Sequence, residues 1–257
     1  MKKVNFTILG SSAGMPQASR THSGYVIEYE GVIIQIDCGG GVSSAFRKAG
    51  FDPLAVKFVL ISHAHPDHVS DLPLYVQMQY LAGRKEPLGI YLPEELLEPI
   101  PAYFRSVYLP PERMPFKLEF LPVPEIGLIN MGAATIRPIL NNHLMKYKPI
   151  IDEFKLKSKM QCYSYLIEID GRKVLYSADL GSENDILPYL KDLDLLVIES
   201  THINVANLLD AIISNNVRQV VLTHIAEEYD TAQALALAQK AGVENLSIAY
   251  DGMRIEL

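Results

Sequence analysis

The sequence has no tryptophan and only two cysteines, Cys38 and Cys162, among 257 residues. The two lie far apart and form no CxxC, so no disulfide framework is indicated. Both are read as reduced packing residues, and a reducing cytoplasm is the expected location. No apolar stretch approaches the ~20 residues needed to span a bilayer. The opening "MKKVNFTILGSS" has an apolar run too short and too interrupted for a signal peptide. No membrane partner is therefore expected. Excess positive charge is missing too. The formal net charge is −7, which argues against a protein that coats nucleic acid through a basic surface. There is no low-complexity segment. What remains is an ordinary globular composition, 49% hydrophobic and 21% charged. The length allows one large α/β domain or two small ones, and a large core either way.

Strands and helices alternate along the chain. "YVIEYEGVIIQID" (25–37) reads as a hairpin around Glu30 and Gly31, and "YLIEIDGRKVLYSAD" (165–179) as another with an Asp-Gly turn. The two stretches resemble each other. Tyr25 and Tyr165 each lie six residues before the turn glycine, Gly31 or Gly171, and Glu28 and Glu168 each lie three before it. Convergent hairpin composition would produce this similarity, and so would a duplication, which would give two like sheets packed face to face. Residues 230–242 carry an Asp cap, strong helix formers and a terminal glycine. Residues 200–216 show helical apolar spacing from Val205 onward. A shorter helix ends at Gly50, and residues 93–108 read as a helix broken by prolines. The stretch from Leu109 to Gly132 is the least regular, either a long connection or strands separated by turns.

Chemistry collects at strand ends. "LISHAHPDHVSDLP" (60–73) follows an apolar run, and 3 of the chain's 7 histidines fall between positions 63 and 68. Packing does not require this, because His is only moderately buried on average and Asp is almost never fully buried unless paired. His63 and His65 can point the same way from an extended segment, and Pro66 disfavours helix at His65. Asp67 and His68 then begin the next turn and can face a second ion. "VRQVVLTHIAEEYD" ends in Thr223 and His224, "RKVLYSADL" in Asp179, and "LDLLVIESTH" in Glu199 and His202. "RPILNNHLMKY" delivers His143. Apolar strands bring their C-terminal ends to one rim, where ligands bind in open α/β sheets. Asp179 would also serve as a turn residue or helix cap, and His202 as a capping or packing residue. Imidazole and carboxylate groups without thiolate suit zinc, and also manganese or iron.

"HAHPDH" fits an HxHxDH signature, and "NNH", "SAD" and "LTH" follow it in order. In this the chain resembles the metallo-β-lactamase fold superfamily, and "IIQIDCGG" is similar to that family's first motif. The opening "ILGSSAGMPQASRTHSGYVIE" is similar to the glycine-rich start of ribonuclease Z and its small phosphodiesterase relatives. "VIESTH" resembles the HEAT segment of ribonuclease Z, with Glu199 at the glutamate position and Ile198 where its histidine would stand. The resemblance covers essentially the whole chain. It implies a four-layer αββα sandwich of the metallo-β-lactamase type. It implies two divalent ions, zinc first with manganese or iron as alternatives. His63, His65 and His143 would hold one ion, and Asp67, His68 and His224 the other, with Asp179 bridging. Asp37 would orient the first cluster from behind. His68, standing where a cysteine would otherwise follow Asp67, sets the chain apart from zinc β-lactamases of the Cys-containing type. Long-armed ribonuclease Z carries a tRNA-binding insertion between the positions of His143 and Asp179, and here that interval is short.

The reaction class that follows is dinuclear metal-dependent hydrolysis of an ester bond, with a small or cyclic phosphodiester as the leading substrate. The alternatives are a thioester or lactone hydrolase of the glyoxalase II type, ribonuclease Z-like RNA 3′ processing, and a non-hydrolytic relative in cofactor biosynthesis. Asp67 is expected to hold or shuttle a proton beside its metal. His202 is expected to protonate the leaving oxygen, oriented by Glu199. "HLMKYKPIIDEFKLKSK" (143–159) sets five lysines against Asp152 and Glu153. It reads either as a solvated loop or as an anion-attracting lid in which Lys146 and Lys148 bind substrate. The expected partner is a small anionic molecule. RNA is not favoured by the overall acidic charge, and a homodimer is compatible with the sequence.

Overall fold

The computed structural model describes residues 3–257. The first sheet is laid down by β1 (Val4–Gly10), β2 (Gly24–Tyr29), β3 (Val32–Ile36), β4 (Val56–Leu60), β5 (Leu88–Leu92) and β6 (Leu118–Pro122). The second follows with β7 (Ile129–Met131), β8 (Ala134–Asn141), β9 (Cys162–Ile169), β10 (Arg172–Tyr176), β11 (Leu195–Glu199), β12 (Val220–Thr223) and β13 (Leu246–Ile248). The last strand, β14 (Arg254–Glu256), returns to the first sheet and pairs antiparallel with β1. The spatial orders are β14-β1-β2-β3-β4-β5-β6 and β13-β12-β11-β10-β9-β8-β7.

The same connectivity thus occurs twice. β1–β2–β3 and β8–β9–β10 are antiparallel meanders. β4, β5 and β6, and then β11, β12 and β13, are added in parallel. The two hairpins expected from the sequence are β2–β3 and β9–β10. Their turn pairs, Glu30-Gly31 and Asp170-Gly171, all have positive φ, which is the twist-matched geometry of two-residue hairpin loops.

The helices are α1 (Val42–Lys48), α2 (Pro66–Val69), α3 (Leu72–Leu81) and α4 (Pro99–Ser106), then α5 (Lys148–Phe154), α6 (Val205–Ser214) and α7 (Thr231–Lys240), of which α1, α3 and α4 cover the outer face of the first sheet and α6 and α7 that of the second. The parallel strands are buried on both faces and read as continuous apolar runs; every residue of β11, "LLVIE", is buried. The apolar residues divide among three cores. Val42 and Phe46 of α1, Tyr75 and Val76 of α3, and Phe104 of α4 pack on Val26, Val59 and Ile90 of the first sheet. Phe6, Tyr25, Ile34 and Leu60 face Tyr165, Ile167, Tyr176 and Val197 between the sheets. Leu208 and Ile212 of α6 and Ala238 of α7 cover Leu196, Ile198 and Leu222 outside the second sheet. Three cores separate four layers, so the architecture is the αββα sandwich.

Local chemistry trims the elements. The helix within 200–216 starts at Val205, where its apolar spacing begins, because the Asn204 side chain accepts from the Ala206 N–H and caps it there. The 93–108 stretch breaks into a 3₁₀ turn and α4, with Pro99 in the first turn of α4. Leu109–Gly132 resolves into short strands between turns, among them β6 and β7. Among the described residues no helix is long and apolar enough to cross a membrane. The parallel strands β4, β11 and β12 all end at the same rim. There the sheets are tied across the gap: Tyr163 N–H donates to the Ser62 carbonyl at 3.0 Å, and Tyr165 O–H to the Ile61 carbonyl at 2.9 Å.

Candidate metal centre

β4 ends at Leu60, and the chain leaves the sheet carrying His63 and His65. His65 is extended, with φ −64° and ψ 144°, and Pro66 opens α2 directly after it. Asp67 and His68 therefore fall in the first helical turn. The turn is fixed from below: Cys38 N–H donates to the His68 carbonyl at 2.7 Å, and Asp71 N–H to the Cys38 carbonyl at 2.9 Å. A Cβ on Gly39 would collide with the Asp67 carbonyl oxygen, so "DCGG" needs glycine there. His143 opens a 3₁₀ turn, His143–Tyr147, after β8. Asp179 follows β10. His224 follows β12 directly, in a left-handed conformation with φ 53°.

These seven side chains converge around Asp179. Its Oδ2 lies 3.5 Å from His143 Nε2 and 3.9 Å from His63 Nε2. Its Oδ1 lies 3.2 Å from His68 Nε2 and 3.4 Å from His224 Nε2. His65 Nδ1 completes the first group at 3.2 Å from His143 Nε2. Asp67 Oδ2 completes the second at 3.1 Å from His224 Nε2. Each group offers one ligand atom per residue, all within 4.8 Å of one another. A tetrahedral ion with bonds of about 2.1 Å holds its ligand atoms about 3.4 Å apart, so the spacing suits a cation in each group. A second observation points the same way. His63 Nε2, His68 Nε2 and Asp179 Oδ1 are buried with no hydrogen-bond partner, whereas buried polar atoms are ordinarily satisfied. The site fits two divalent ions, one per group, with one oxygen of Asp179 toward each.

Electrostatics divides the histidines. Burial lowers His65, and it pushes His143 down to about 3 and His63 well below the ordinary imidazole range. These stay neutral, which is the ligating form. Burial acts the same way on His68 and His224, but for His68 it is outweighed by Asp179 and Asp37, and for His224 by Asp179 and Asp67, so both are raised. Burial would raise Asp179, yet His224, His68 and His63 hold it well below the usual carboxylate range. Asp67 falls to about 2, because the His224 hydrogen bond and the charge of His68 outweigh burial. Without a cation, the ionised Asp179 and Asp67 are balanced by His68 and His224.

A layer behind the cluster fixes the rings. Asp37 is fully buried. Its Oδ2 accepts from His68 Nδ1 at 2.8 Å, from Tyr176 O–H at 2.7 Å and from Ser62 O–H at 2.9 Å. Its Oδ1 accepts from Ser62 N–H at 2.7 Å. His224 Nδ1 lies 3.2 Å from Thr201 Oγ1. Asp37 thus touches His68, Ser62 and Tyr176 directly. Ser62, Tyr176 and Thr201 were not singled out by sequence, because as residue types they look like packing.

Glu199 and His202 stand between the two groups, near His143 of the first and His224 of the second. Glu199 is buried; its Oε1 accepts from Leu180 N–H at 2.9 Å and from His202 Nδ1 at 3.0 Å, and its Oε2 from the Thr201 and His202 N–H groups, both at 2.8 Å. The His202 ring lies 4.7 Å from that of His143 and remains partly exposed. The lysines separate. Lys146 is near enough for its charge to help lower His65 and His143, and its ammonium sits 5.4 Å from the Tyr147 ring centre. Lys148 instead pairs with Asp152 at 2.8 Å on the exposed side of α5.

The chain is similar to known proteins over nearly its whole length. The profile of the beta-lactamase superfamily domain matches residues 34–225. Ribonuclease Z of Methanosarcina acetivorans is 25% identical over 99% of this chain and 98% of its own length. The metallo-beta-lactamase fold protein YhfI from Bacillus subtilis superposes with a TM-score of 0.80 at 19% identity, covering all of both chains. The short form of human tRNase Z gives 0.75 at 18% identity, covering 98% of each. The chain belongs to the beta-lactamase superfamily, as a hydrolase of the metallo-β-lactamase fold.

Proposed function

We propose that this protein is a dinuclear metal-dependent phosphodiesterase acting on a small anionic diester in a reducing cytoplasm, with residues 1–257 working as one domain. The observation that carries the reading is Asp179, whose two oxygens face two separate ligand groups. His63, His65, His143 and Asp179 would hold one ion, and Asp67, His68, His224 and Asp179 the other. Zinc suits the set of imidazole and carboxylate donors. Bound there, the ions would supply Lewis acidity and lower the pKa of a water to about 7. Asp67 accepts a proton from the attacking water. His202, held through Nδ1 by Glu199, delivers a proton from Nε2 to the leaving alkoxide. Lys146 draws the anion to the rim.

Relatives named ribonuclease Z favour phosphodiester chemistry. The segment between His143 and Asp179 favours a small substrate. It holds only a 3₁₀ turn, α5 and the β9–β10 hairpin, and so offers no long arm for gripping RNA. A panel on metal-replete protein tests the reading, with a nitrophenyl phosphodiester, a thioester, a lactone and precursor tRNA as substrates. The expected result is turnover of the phosphodiester well above the rest. Preference for the thioester or lactone, or efficient site-specific trimming of a tRNA 3′ trailer at physiological salt, contradicts it.

A further inference from the structure

Four of the five histidines around Asp179 present Nε2 and are held from behind at Nδ1. His63 Nδ1 lies 3.0 Å from Ser62 Oγ, and His68 Nδ1 2.8 Å from Asp37 Oδ2. His143 Nδ1 lies 3.4 Å from the Leu180 carbonyl, and His224 Nδ1 3.2 Å from Thr201 Oγ1. His65 differs. The atom it presents is Nδ1, 3.2 Å from His143 Nε2, and among the described residues no hydrogen bond holds its Nε2. It is also the least buried of the five. Pro66 restrains its backbone, but rotation of the ring about χ2 is a broad, weakly restricted torsion. Packing is left to set it.

The rings around His65 meet it edge to face. His63 lies at 4.7 Å and 72°, His143 at 5.0 Å and 83°, and Tyr147 at 5.5 Å and 84°. Of these only Tyr147 lies outside the ligand groups. It stands four residues after His143 in the same 3₁₀ turn. That turn is anchored in the inter-sheet core by buried Leu144 and by Tyr147 itself. The Tyr147 ring is therefore fixed by the core and turned toward His65, where the other histidines have a hydrogen-bond acceptor or hydroxyl.

We propose that Tyr147 is the positioning residue for His65, and that its ring does what Ser62, Asp37, Leu180 and Thr201 do for the other four. The inference rests on the ligand groups assigned above. Tyr147 thereby sets the affinity of the ion held by His63, His65 and His143, and leaves the other ion alone. The ring is what matters, so phenylalanine substitutes for it and alanine does not.

Zinc competition against a chelator tests this on two backgrounds. His224→Ala leaves the first group intact, and His143→Ala leaves the second. In His224→Ala, adding Tyr147→Ala is expected to weaken the remaining ion about 10-fold, the lower end for losing an outer-layer partner. Tyr147→Phe is expected to stay within about 2-fold. In His143→Ala, adding Tyr147→Ala is expected to change nothing. Tyr147→Leu keeps apolar bulk without the ring and is expected to repeat the alanine result, which separates ring positioning from loss of core packing. Unchanged affinity in His224→Ala, an equal loss with phenylalanine, or an equal loss on both backgrounds overturns the proposal. If the two background variants do not each retain one ion, the ligand assignment itself fails, and this inference fails with it.

Discussion

In the first half of the chain, β4 is followed by His63, His65, Asp67 and His68 within six residues. In the second half, His143, Asp179 and His224 come one each from the ends of β8, β10 and β12. The backbone beneath them is nonetheless the same. Ile36 pairs with Leu60, and Tyr176 with Val197, at equivalent places in the two sheets. The next residues repeat two bonds. Asp37 N–H donates to the Leu60 carbonyl at 2.8 Å, and Ser177 N–H to the Val197 carbonyl at 2.9 Å. Ser62 N–H donates to Asp37 Oδ1 at 2.7 Å, and Glu199 N–H to Ser177 Oγ at 3.0 Å. One cradle, built twice, carries different chemistry. In the first half its carboxylate sits on the inner position, as Asp37, and steadies His68, a ligand in the proposed centre. In the second it sits one strand further on, as Glu199, and steadies His202.

The comparison yields graded expectations. Asp179 joins the two halves, so its loss should be the most severe. Asp179→Ala is expected to lower phosphodiester turnover on the order of 10³-fold or more while leaving the metal-free fold intact, as read by steady-state kinetics beside thermal melting. Near-wild-type activity would remove Asp179 from the centre. Asp37→Asn should act mainly on the group of His68, which it touches directly, and reach His63 only through Ser62. Competition titration is expected to show the ion of the second group weakened 10–100-fold, with the first much less affected. Equal weakening of both would erase the distinction between the halves.

Glu199→Gln should spare metal binding and show itself in proton delivery. Two ions are expected to remain. Turnover of a diester with a poor alkoxide leaving group should fall about 10²-fold, and that of a nitrophenyl diester far less, because nitrophenolate departs without a proton. A uniform fall on both substrates would make Glu199 a purely structural residue. The smallest effect belongs to the lysines. Lys146→Ala is expected to raise KM about 3-fold at low salt, with the difference fading as salt screens it. Lys148→Ala should do less, since Asp152 already pairs with Lys148. The reverse order would place the anion on the other side of α5.

The same asymmetry decided what the sequence could reveal. His63, His65, Asp67 and His68 were readable because they form one contiguous motif. Asp179 and His224 were readable because a charged or imidazole side chain at the end of an apolar strand has no packing reason. The like hairpins allowed two like sheets without requiring them, and the four-layer sandwich came with the family resemblance. Tyr147, Ser62, Tyr176 and Thr201 were not readable, since ordinary residue types acquire their roles only when the sheets meet. Tyr176 reaches Asp37 from the opposite sheet. Lys146 and Lys148 looked alike, although the spacing of Lys148 to Asp152 already allowed a helical ion pair. The ambiguity over Leu109–Gly132 has a physical source as well. β6 is an edge strand, only partly buried along most of its length and ending in Pro122, so it lacks the alternation that marks a strand.

Elemental analysis tests the shared Asp179 most directly, applied to protein loaded with zinc and then stripped of loosely held metal. The expected contents are about two ions per chain for the wild type, about one each for His143→Ala and His224→Ala, and less than one for Asp179→Ala. A wild type holding no more than one tight ion, or an Asp179→Ala variant still holding two, would contradict a centre built around a bridging carboxylate.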